Sequence, residues 1–120
     1  MQRSVLVIDD DAEFRGLACR VLSEWGFEIL GEAATVGEAL ATVERVRPDA
    51  MLVDIGLPDG DGIELAGRLA LLPWRPRVLL ISTDADGADD ATVQRLGLAG
   101  FVPKSDLPGP VAQSLLEGIR

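Results

Sequence analysis

The sequence contains no histidine, one cysteine (Cys19) and one lysine (Lys104). Without histidine, the chain cannot build a Ser-His-Asp triad, a Cys-His pair or a zinc site that uses imidazole. The lone cysteine excludes an internal disulfide and thiolate metal clusters, and its apolar neighbours predict a buried helix residue. Any bound metal should therefore be a hard cation held by oxygen atoms, and any nucleophile a carboxylate or a hydroxyl.

Long apolar runs and clustered cations are also missing. No window reaches the roughly 18 apolar residues of a membrane span, and no secretory signal is recognisable. We therefore expect a cytoplasmic protein with no membrane partner. The formal net charge of −9 argues against direct binding to a nucleic-acid backbone. The chain has 120 residues, of which 48% are hydrophobic, and this suits a single domain, residues 1–120, with one core.

Apolar strands and amphipathic helices alternate along the chain. Apolar runs predict strands at about Ser4–Ile8 and Phe27–Ala33, and in the letters AMLVDI, RVLLIS and AGFVPK, the last ending at Lys104. Helical spacing predicts a helix after each strand. The letters TDADGADD open a polar fourth helix through about Leu96, and the fifth helix begins at about Leu107. The residues predicted to face the core are Phe14, Leu17, Ala18, Val21, Leu22 and Trp25 in the first helix; Val36, Ala39, Leu40, Val43 and Val46 in the second; Ile63, Ala66, Leu69 and Leu72 in the third; and Val111, Leu115 and Ile119 in the fifth.

Five strand–helix units imply a parallel sheet with helices on both faces. In open sheets of this kind, ligands bind outside the carboxyl ends of the strands. The polar residues at those ends are Asp9, Asp10, Asp54, Ser82 and Lys104. Close carboxylates disfavour one another's ionisation, whereas Mg²⁺ bound between them would offset that repulsion. A metal, an ammonium and a hydroxyl together suit a phosphoryl group.

Lys104 stands out because the other ten basic residues are all arginine. A compact ammonium on a flexible stem is not interchangeable with a guanidinium at a tight site. Simpler roles stay open for the other residues. Asp11 suits a helix N-cap, Asp9 and Asp10 could favour the helix dipole, and Ser82 could be an ordinary capping hydroxyl.

This set of motifs resembles the receiver domain of two-component response regulators over essentially the whole chain. The letters VLVIDD, MLVDIGLPDGDG, VLLIST and GFVPKSDL resemble its first, third, fourth and fifth strands with their following loops. The resemblance implies an α/β, flavodoxin-like (CheY-like) doubly wound fold with five helices and strand order 2-1-3-4-5. It also implies that Asp54 is the phosphoacceptor, Lys104 the invariant-type lysine, and Ser82 and Phe101 the switch pair.

The resemblance further implies a mechanism and partners. Asp54 would take a phosphoryl group from a sensor histidine kinase or from a small phosphodonor such as acetyl phosphate. Asp10, Asp54 and the Gly56 carbonyl would bind Mg²⁺, with Asp9 acting mainly through water. Lys104 and Ser82 would bind phosphoryl oxygens. Phosphorylation would change the face made by the fourth helix, fifth strand and fifth helix, where a homodimer could form.

Two positions depart from the family pattern. Ser105 follows Lys104 where many receivers have a proline and a cis bond, so a trans bond is expected here. Thr83 follows Ser82 in place of the usual small residue, so we expect access to Asp54 to be narrower than usual. Any output domain would lie beyond Arg120, and the letters GFVPKSDL resemble receivers that precede LuxR-type DNA-binding domains.

Three other functions are compatible with part of this pattern. A haloacid-dehalogenase-type phosphatase also uses a strand-end Asp with Mg²⁺, but Glu13 stands where that family has Thr or Val. An FMN-binding module needs a phosphate loop after the first strand, and here that loop is acidic. An interaction domain that works without phosphorylation would leave the full set of strand-end residues without a purpose.

Overall fold

A computed structural model describes residues 3–118, which form a five-stranded parallel sheet covered by helices on both faces. A small antiparallel hairpin, Gly56–Leu57 paired with Gly60–Asp61, lies in the loop after the third strand of that sheet. The strands are β1 (Arg3–Ile8), β2 (Phe27–Ala33), β3 (Ala50–Asp54), β4 (Arg77–Ser82) and β5 (Gly100–Pro103). The helices are α1 (Ala12–Glu24), α2 (Val36–Val46), α3 (Gly62–Ala70), α4 (Asp90–Leu96) and α5 (Pro110–Glu117). The sheet order is β2-β1-β3-β4-β5, which confirms the predicted doubly wound fold. Within residues 3–118, no helix combines the length and apolarity needed to cross a membrane.

The core has two parts, one on each face of the sheet. Alternate strand residues such as Leu6 and Val53 pack with α2 and α3, whereas Val7 and Leu52 pack with α1 and α5. All four of these side chains are fully buried. Burial on both faces explains why the central strands are continuous apolar runs rather than alternating ones.

Helix α1 begins directly at the carboxyl end of β1. The Asp11 side chain accepts hydrogen bonds from the backbone N–H groups of Glu13 and Phe14 and so caps the helix. The predicted N-cap is therefore confirmed. Cys19 is only partly buried, and Leu17 is 37% exposed, so these two residues lie at the margin of the core rather than within it.

The fourth helix is shorter than predicted. Helix α4 begins at Asp90, because the preceding polar residues form local hydrogen bonds that compete with a helix. The Ser82 hydroxyl accepts a bond from the Asp84 N–H, and the Asp84 carboxylate accepts one from the Asp86 N–H. The side chain of Asp89 then caps α4 through the Thr92 N–H.

The end of the chain also differs from the prediction. Strand β5 ends at Pro103, Lys104 begins a short 3₁₀ turn (Lys104–Asp106), and α5 begins at Pro110 rather than near Leu107. Pro110 sets the start of the helix, because Gly109 before it is extended, as residues that precede proline commonly are. Val111 is 64% exposed, and Ala112 and Leu116 are buried in its place. Ile119 lies outside the described residues, and the described peptide bonds, including Lys104–Ser105, contain no cis bond.

Helix α3 approaches the end of β3 so closely that its first residue must lack a side chain. A Cβ at Gly62 would overlap the backbone carbonyl oxygen of Asp54 and crowd Ile55. The Gly62 N–H donates to the Ile55 carbonyl at 2.9 Å, and Asp61 caps the helix through the Ile63 N–H. This close approach fixes the loop that carries Gly56 against the strand that carries Asp54.

We expect Gly62→Ala to lower the free energy of unfolding by about 2–3 kcal/mol, because the new methyl group must displace backbone. Gly16→Ala is the matched control, since a methyl group there in α1 would meet nothing within 4 Å apart from the adjacent helix backbone, among residues 3–118. That change should stabilise the protein by about 0.5–1 kcal/mol. Urea unfolding of both variants measures the difference, and equal effects would contradict the proposed close approach.

Candidate functional site

The strand register brings the predicted polar residues to one edge of the sheet. Ile8 lies opposite Val53, so Asp9 and Asp54 continue from neighbouring strands. Ser82 ends β4 opposite Pro103, the residue before Lys104. The carboxyl ends of β1, β3, β4 and β5 therefore surround a single acidic pocket, as the alternation of strands and helices predicted.

The Lys104 ammonium lies among the carboxylates. Its Nζ is 2.8 Å from Asp9 Oδ2 and 3.6 Å from Asp54 Oδ2, and the side chain is 12% exposed. It also lies 4.7 Å from the centre of the Phe14 ring. Burial alone would lower the pKa of Lys104, but the Asp9 carboxylate outweighs that effect and the pKa is raised. Lys104 therefore stays a cation and offsets the repulsion between the two acids.

Asp9 is fully buried and almost entirely committed to structural contacts. Its Oδ1 accepts a hydrogen bond from the Asp11 N–H at 2.8 Å. Its Oδ2 has the Lys104 ammonium beside it and, within residues 3–118, receives no other hydrogen bond. Its backbone carbonyl accepts a 2.7 Å bond from Arg15, whose guanidinium also pairs with Glu32. Asp9 is thus held by groups from α1, from β2 and from the turn after β5.

Asp54 is buried at the end of β3 but less tightly bound than Asp9. It is 6% exposed, and its Oδ1 accepts a 3.3 Å hydrogen bond from the Gly56 N–H. Burial and the nearby Asp9 carboxylate raise the pKa of Asp54 to about 6, although Lys104 and the Gly56 N–H act in the opposite direction. At neutral pH Asp54 is mostly ionised, which is the form that can act as a nucleophile.

The three carboxylates form a group that suits a hard cation. One oxygen from each of Asp9, Asp10 and Asp54 lies within 4.8 Å of the others. Asp10 is exposed, whereas the other two are buried. Carboxylate oxygens of this kind, open to solvent on one side, match Mg²⁺, which keeps several waters and uses one or two protein carboxylates. The residues present therefore fit a magnesium ion.

Ser82 and Phe101 lie on the same face of the sheet. Ser82 pairs with Pro103 and Leu80 pairs with Phe101, so the serine and the phenylalanine project to one side of β4 and β5. Ser82 is buried, and its hydroxyl accepts a 3.0 Å hydrogen bond from the Asp84 N–H. Its own proton therefore stays available to donate to a group in the pocket. Phe101 is partly buried against the core on the α2–α3 face.

Three residues of the site were missed by sequence reasoning. Apolar spacing places Phe14 simply among the core residues of α1, and nothing in the local pattern sets Gly62 apart from the other glycines of the loop after β3. Arg15 carried a signal, because a cation in the first turns of a helix opposes the helix dipole and so needs a specific anionic partner. Its partners, the Asp9 carbonyl and Glu32, come from two different strand ends and are joined only in the folded chain.

Comparison with known proteins agrees with this geometry. The chain is 34% identical over 111 residues to the DNA-binding transcriptional activator DevR/DosR of Mycobacterium tuberculosis, covering 91% of this chain and 50% of that protein. It is 33% identical over 118 residues to a protein-glutamate methylesterase/protein-glutamine glutaminase of Alkalilimnicola ehrlichii, covering 94% of this chain and 30% of that protein. This chain spans half or less of the length of these two relatives.

Solved structures share the fold. A LuxR-family two-component response regulator from Aurantimonas sp. SI85-9A1 superposes with a TM-score of 0.82 at 26% identity, covering 100% of this chain and 89% of that one. The family model described as the response regulator receiver domain matches residues 5–112, which include every residue of the acidic pocket. The chain therefore belongs to the family of response regulator receiver domains.

Proposed function

We propose that this domain receives a phosphoryl group on Asp54 from a phosphohistidine of a sensor histidine kinase, or from a small phosphodonor. One observation carries the proposal: the lysine is held between Asp9 and Asp54 at the edge where β1 and β3 adjoin. The buried Asp54 carboxylate has the Lys104 ammonium 3.6 Å away and lies within 4.8 Å of an oxygen of the exposed Asp10. That arrangement favours a phosphorylated signalling domain over a phosphatase or an FMN-binding module.

The transfer requires one bond to form and one to break. An Asp54 carboxylate oxygen attacks phosphorus, a P–O bond forms, and the P–N bond to the donor imidazole breaks as the imidazole takes up a proton. The phosphoryl oxygens gain negative charge near Lys104, which can move from Asp9 towards them over a short distance. The Ser82 hydroxyl donates to another phosphoryl oxygen. Attack of water on phosphorus later releases phosphate and restores the carboxylate.

Asp10, Asp54 and the Gly56 carbonyl would hold Mg²⁺, with Asp9 contributing mainly through water. When bound, the ion would neutralise negative charge and help to orient the phosphoryl group. Asp9 suits the outer role because its two oxygens already face the Asp11 N–H and the Lys104 ammonium. Asp10 suits the inner role because its carboxylate is exposed and has no such partners among the described residues.

The phosphorylated form would act through other proteins or other segments of its own chain. We place the domain in the cytoplasm as a non-enzyme that catalyses only its own phosphorylation and dephosphorylation. Control of an output module, such as the DNA-binding function named in the DevR/DosR relative, and self-association through the face made by α4, β5 and α5 belong to this proposal. The net charge of −9 argues against direct nucleic-acid binding by the domain itself.

Acetyl phosphate with Mg²⁺ should add one phosphoryl group to the protein, detectable by intact-mass spectrometry. Asp54→Asn should show no adduct, because an amide is not nucleophilic enough to attack phosphorus. Asp59→Asn is the matched control, since Asp59 is an exposed residue of the loop that follows Asp54. Its carboxylate accepts hydrogen bonds from the Val36 and Gly37 N–H groups at the start of α2. An adduct of wild-type yield on the Asp54→Asn variant would refute the assignment.

Asp10→Asn should weaken Mg²⁺ binding about tenfold more than Asp9→Asn, because loss of an inner carboxylate ligand removes a direct charge–charge contact. Isothermal titration calorimetry on the unphosphorylated protein measures both affinities. Thermal unfolding should show the opposite order, with Asp9→Asn the more destabilising, because its buried carboxylate pairs with Lys104. Equal losses of Mg²⁺ affinity would show that the inner and outer roles are wrongly assigned.

A conformational signal could leave the pocket through Ser82. If its hydroxyl is drawn towards a phosphoryl oxygen, the Asp84 N–H bonded to it must follow or lose its partner. That N–H belongs to the loop that leads into α4, a helix with no buried residue. Elements with little buried apolar surface open at low free-energy cost. Phe101, on the same sheet face, could then fill the space that Ser82 leaves.

Hydrogen exchange with and without beryllofluoride, which mimics the phosphoryl group, should show changed protection across residues 84–107. Ser82→Ala should abolish the change in this segment while protection around Asp54 still responds, because the hydroxyl links the pocket to the loop. The switch as described would be wrong if wild-type protection changed only around Asp54.

A further inference from the structure

The Phe14 ring and the Lys104 ammonium make a contact that the family resemblance did not include. Nζ lies 4.7 Å from the ring centre, within the range in which a cation is attracted to the negative face of an aromatic ring. Phe14 is 8% exposed and the lysine side chain 12% exposed, so water screens the contact little. Desolvation of this kind strengthens a cation–π interaction.

The chain fixes this ring from its backbone outwards. Phe14 is the third residue of α1, and its N–H donates to the capping carboxylate of Asp11 at 3.3 Å. Asp11 in turn donates its own N–H to Asp9, the ion-pair partner of Lys104. The ring and the carboxylate that contact the ammonium are therefore positioned by one continuous turn of backbone between β1 and α1.

We propose that Phe14 is a positioning residue for Lys104 in phosphoryl transfer. A carboxylate holds an ammonium at a definite point, whereas a ring face attracts it without a directional bond. Lys104 can therefore leave Asp9 Oδ2, at 2.8 Å, for phosphoryl oxygens on Asp54 while it stays over the ring. The ring lets the ammonium shift towards Asp54 and prevents it from turning into solvent. This inference rests on the proposed phosphorylation of Asp54.

A structural role alone is the competing explanation, because Phe14 also belongs to the core on the α1–α5 face. Phe27 offers a matched control. It is 5% exposed, belongs to the same core, and its ring contacts Arg3 instead of Lys104. Phe27→Leu makes the same Phe-to-Leu change in the same core but at a ring that does not contact Lys104.

The single lysine provides a direct spectroscopic readout. Lysine labelled with ¹³C at Cε gives one signal from the whole chain, because Lys104 is its only lysine. In the wild type and in Phe14→Tyr, the ring should shift the Cε protons upfield of their random-coil position. Phe14→Leu should abolish that shift, and Phe27→Leu should preserve it. An unshifted wild-type signal would overturn the contact itself.

Phosphorylation by acetyl phosphate tests the function of the contact. The rate should fall about fivefold in Phe14→Leu, because a cation–π contact of ordinary strength favours the ammonium at the pocket over one turned into solvent by about that factor. The rate should stay near the wild-type value in Phe14→Tyr and Phe27→Leu. Should Phe14→Leu fail to fold, pentafluorophenylalanine at position 14 keeps the ring but reverses the charge of its face, and should slow transfer as much.

The outcomes separate this inference from the function on which it rests. A wild-type protein that takes up no phosphoryl group overturns the proposed function. A phosphorylated wild type with an equally fast Phe14→Leu variant overturns only the role of Phe14. An equal slowing in Phe27→Leu also overturns it, because the effect would then come from core stability rather than from the lysine.

Discussion

The ion pair between Lys104 and Asp9 is the interaction on which the site depends. Two buried carboxylates at neighbouring strand ends repel each other, and water is too scarce there to screen them. A single ammonium placed 2.8 Å from one and 3.6 Å from the other makes both tolerable. For Asp54, burial and the Asp9 carboxylate outweigh the effect of this cation, so the pKa of Asp54 is still raised to about 6. The site therefore combines a stable arrangement with a carboxylate whose charge a further cation would stabilise.

The surrounding structure restricts each partner of this ion pair. Asp9 is held through its carbonyl by Arg15 and through its side chain by the Asp11 N–H. Asp54 is enclosed by α3, whose first residue, Gly62, has no room for a side chain. Lys104 begins a 3₁₀ turn, and Leu107, directly after that turn, is fully buried and anchors the segment. Buried strand ends and the helices packed on them thus define the pocket, whereas the polar loop before α4 is mostly exposed.

Much of this site could be predicted from the sequence, because parallel strands place their carboxyl ends at one edge whatever the details of packing. Asp9, Asp10, Asp54, Ser82 and Lys104 needed only the order of the elements. The length of α4 could not be predicted from apolar spacing, since Ser82 and Asp84 take backbone N–H groups away from the helix. The inward face of α5 was predicted only in part, because Leu115 packs against the core but Pro110 moved the start of the helix and Val111 points outwards.

The sequence by itself determined the sheet, its helices and the chemical groups at its edge, because apolar periodicity and strand-end polarity are local properties of the chain. Only the tertiary structure decided which acid the lysine pairs with, that Phe14 lies beside its ammonium, and that Arg15 joins two strand ends. These contacts link residues 6 to 95 positions apart, and their distances depend on how α1 and the turn after β5 pack on the sheet. Side-chain positions of that kind follow from the packed core, which no local pattern encodes.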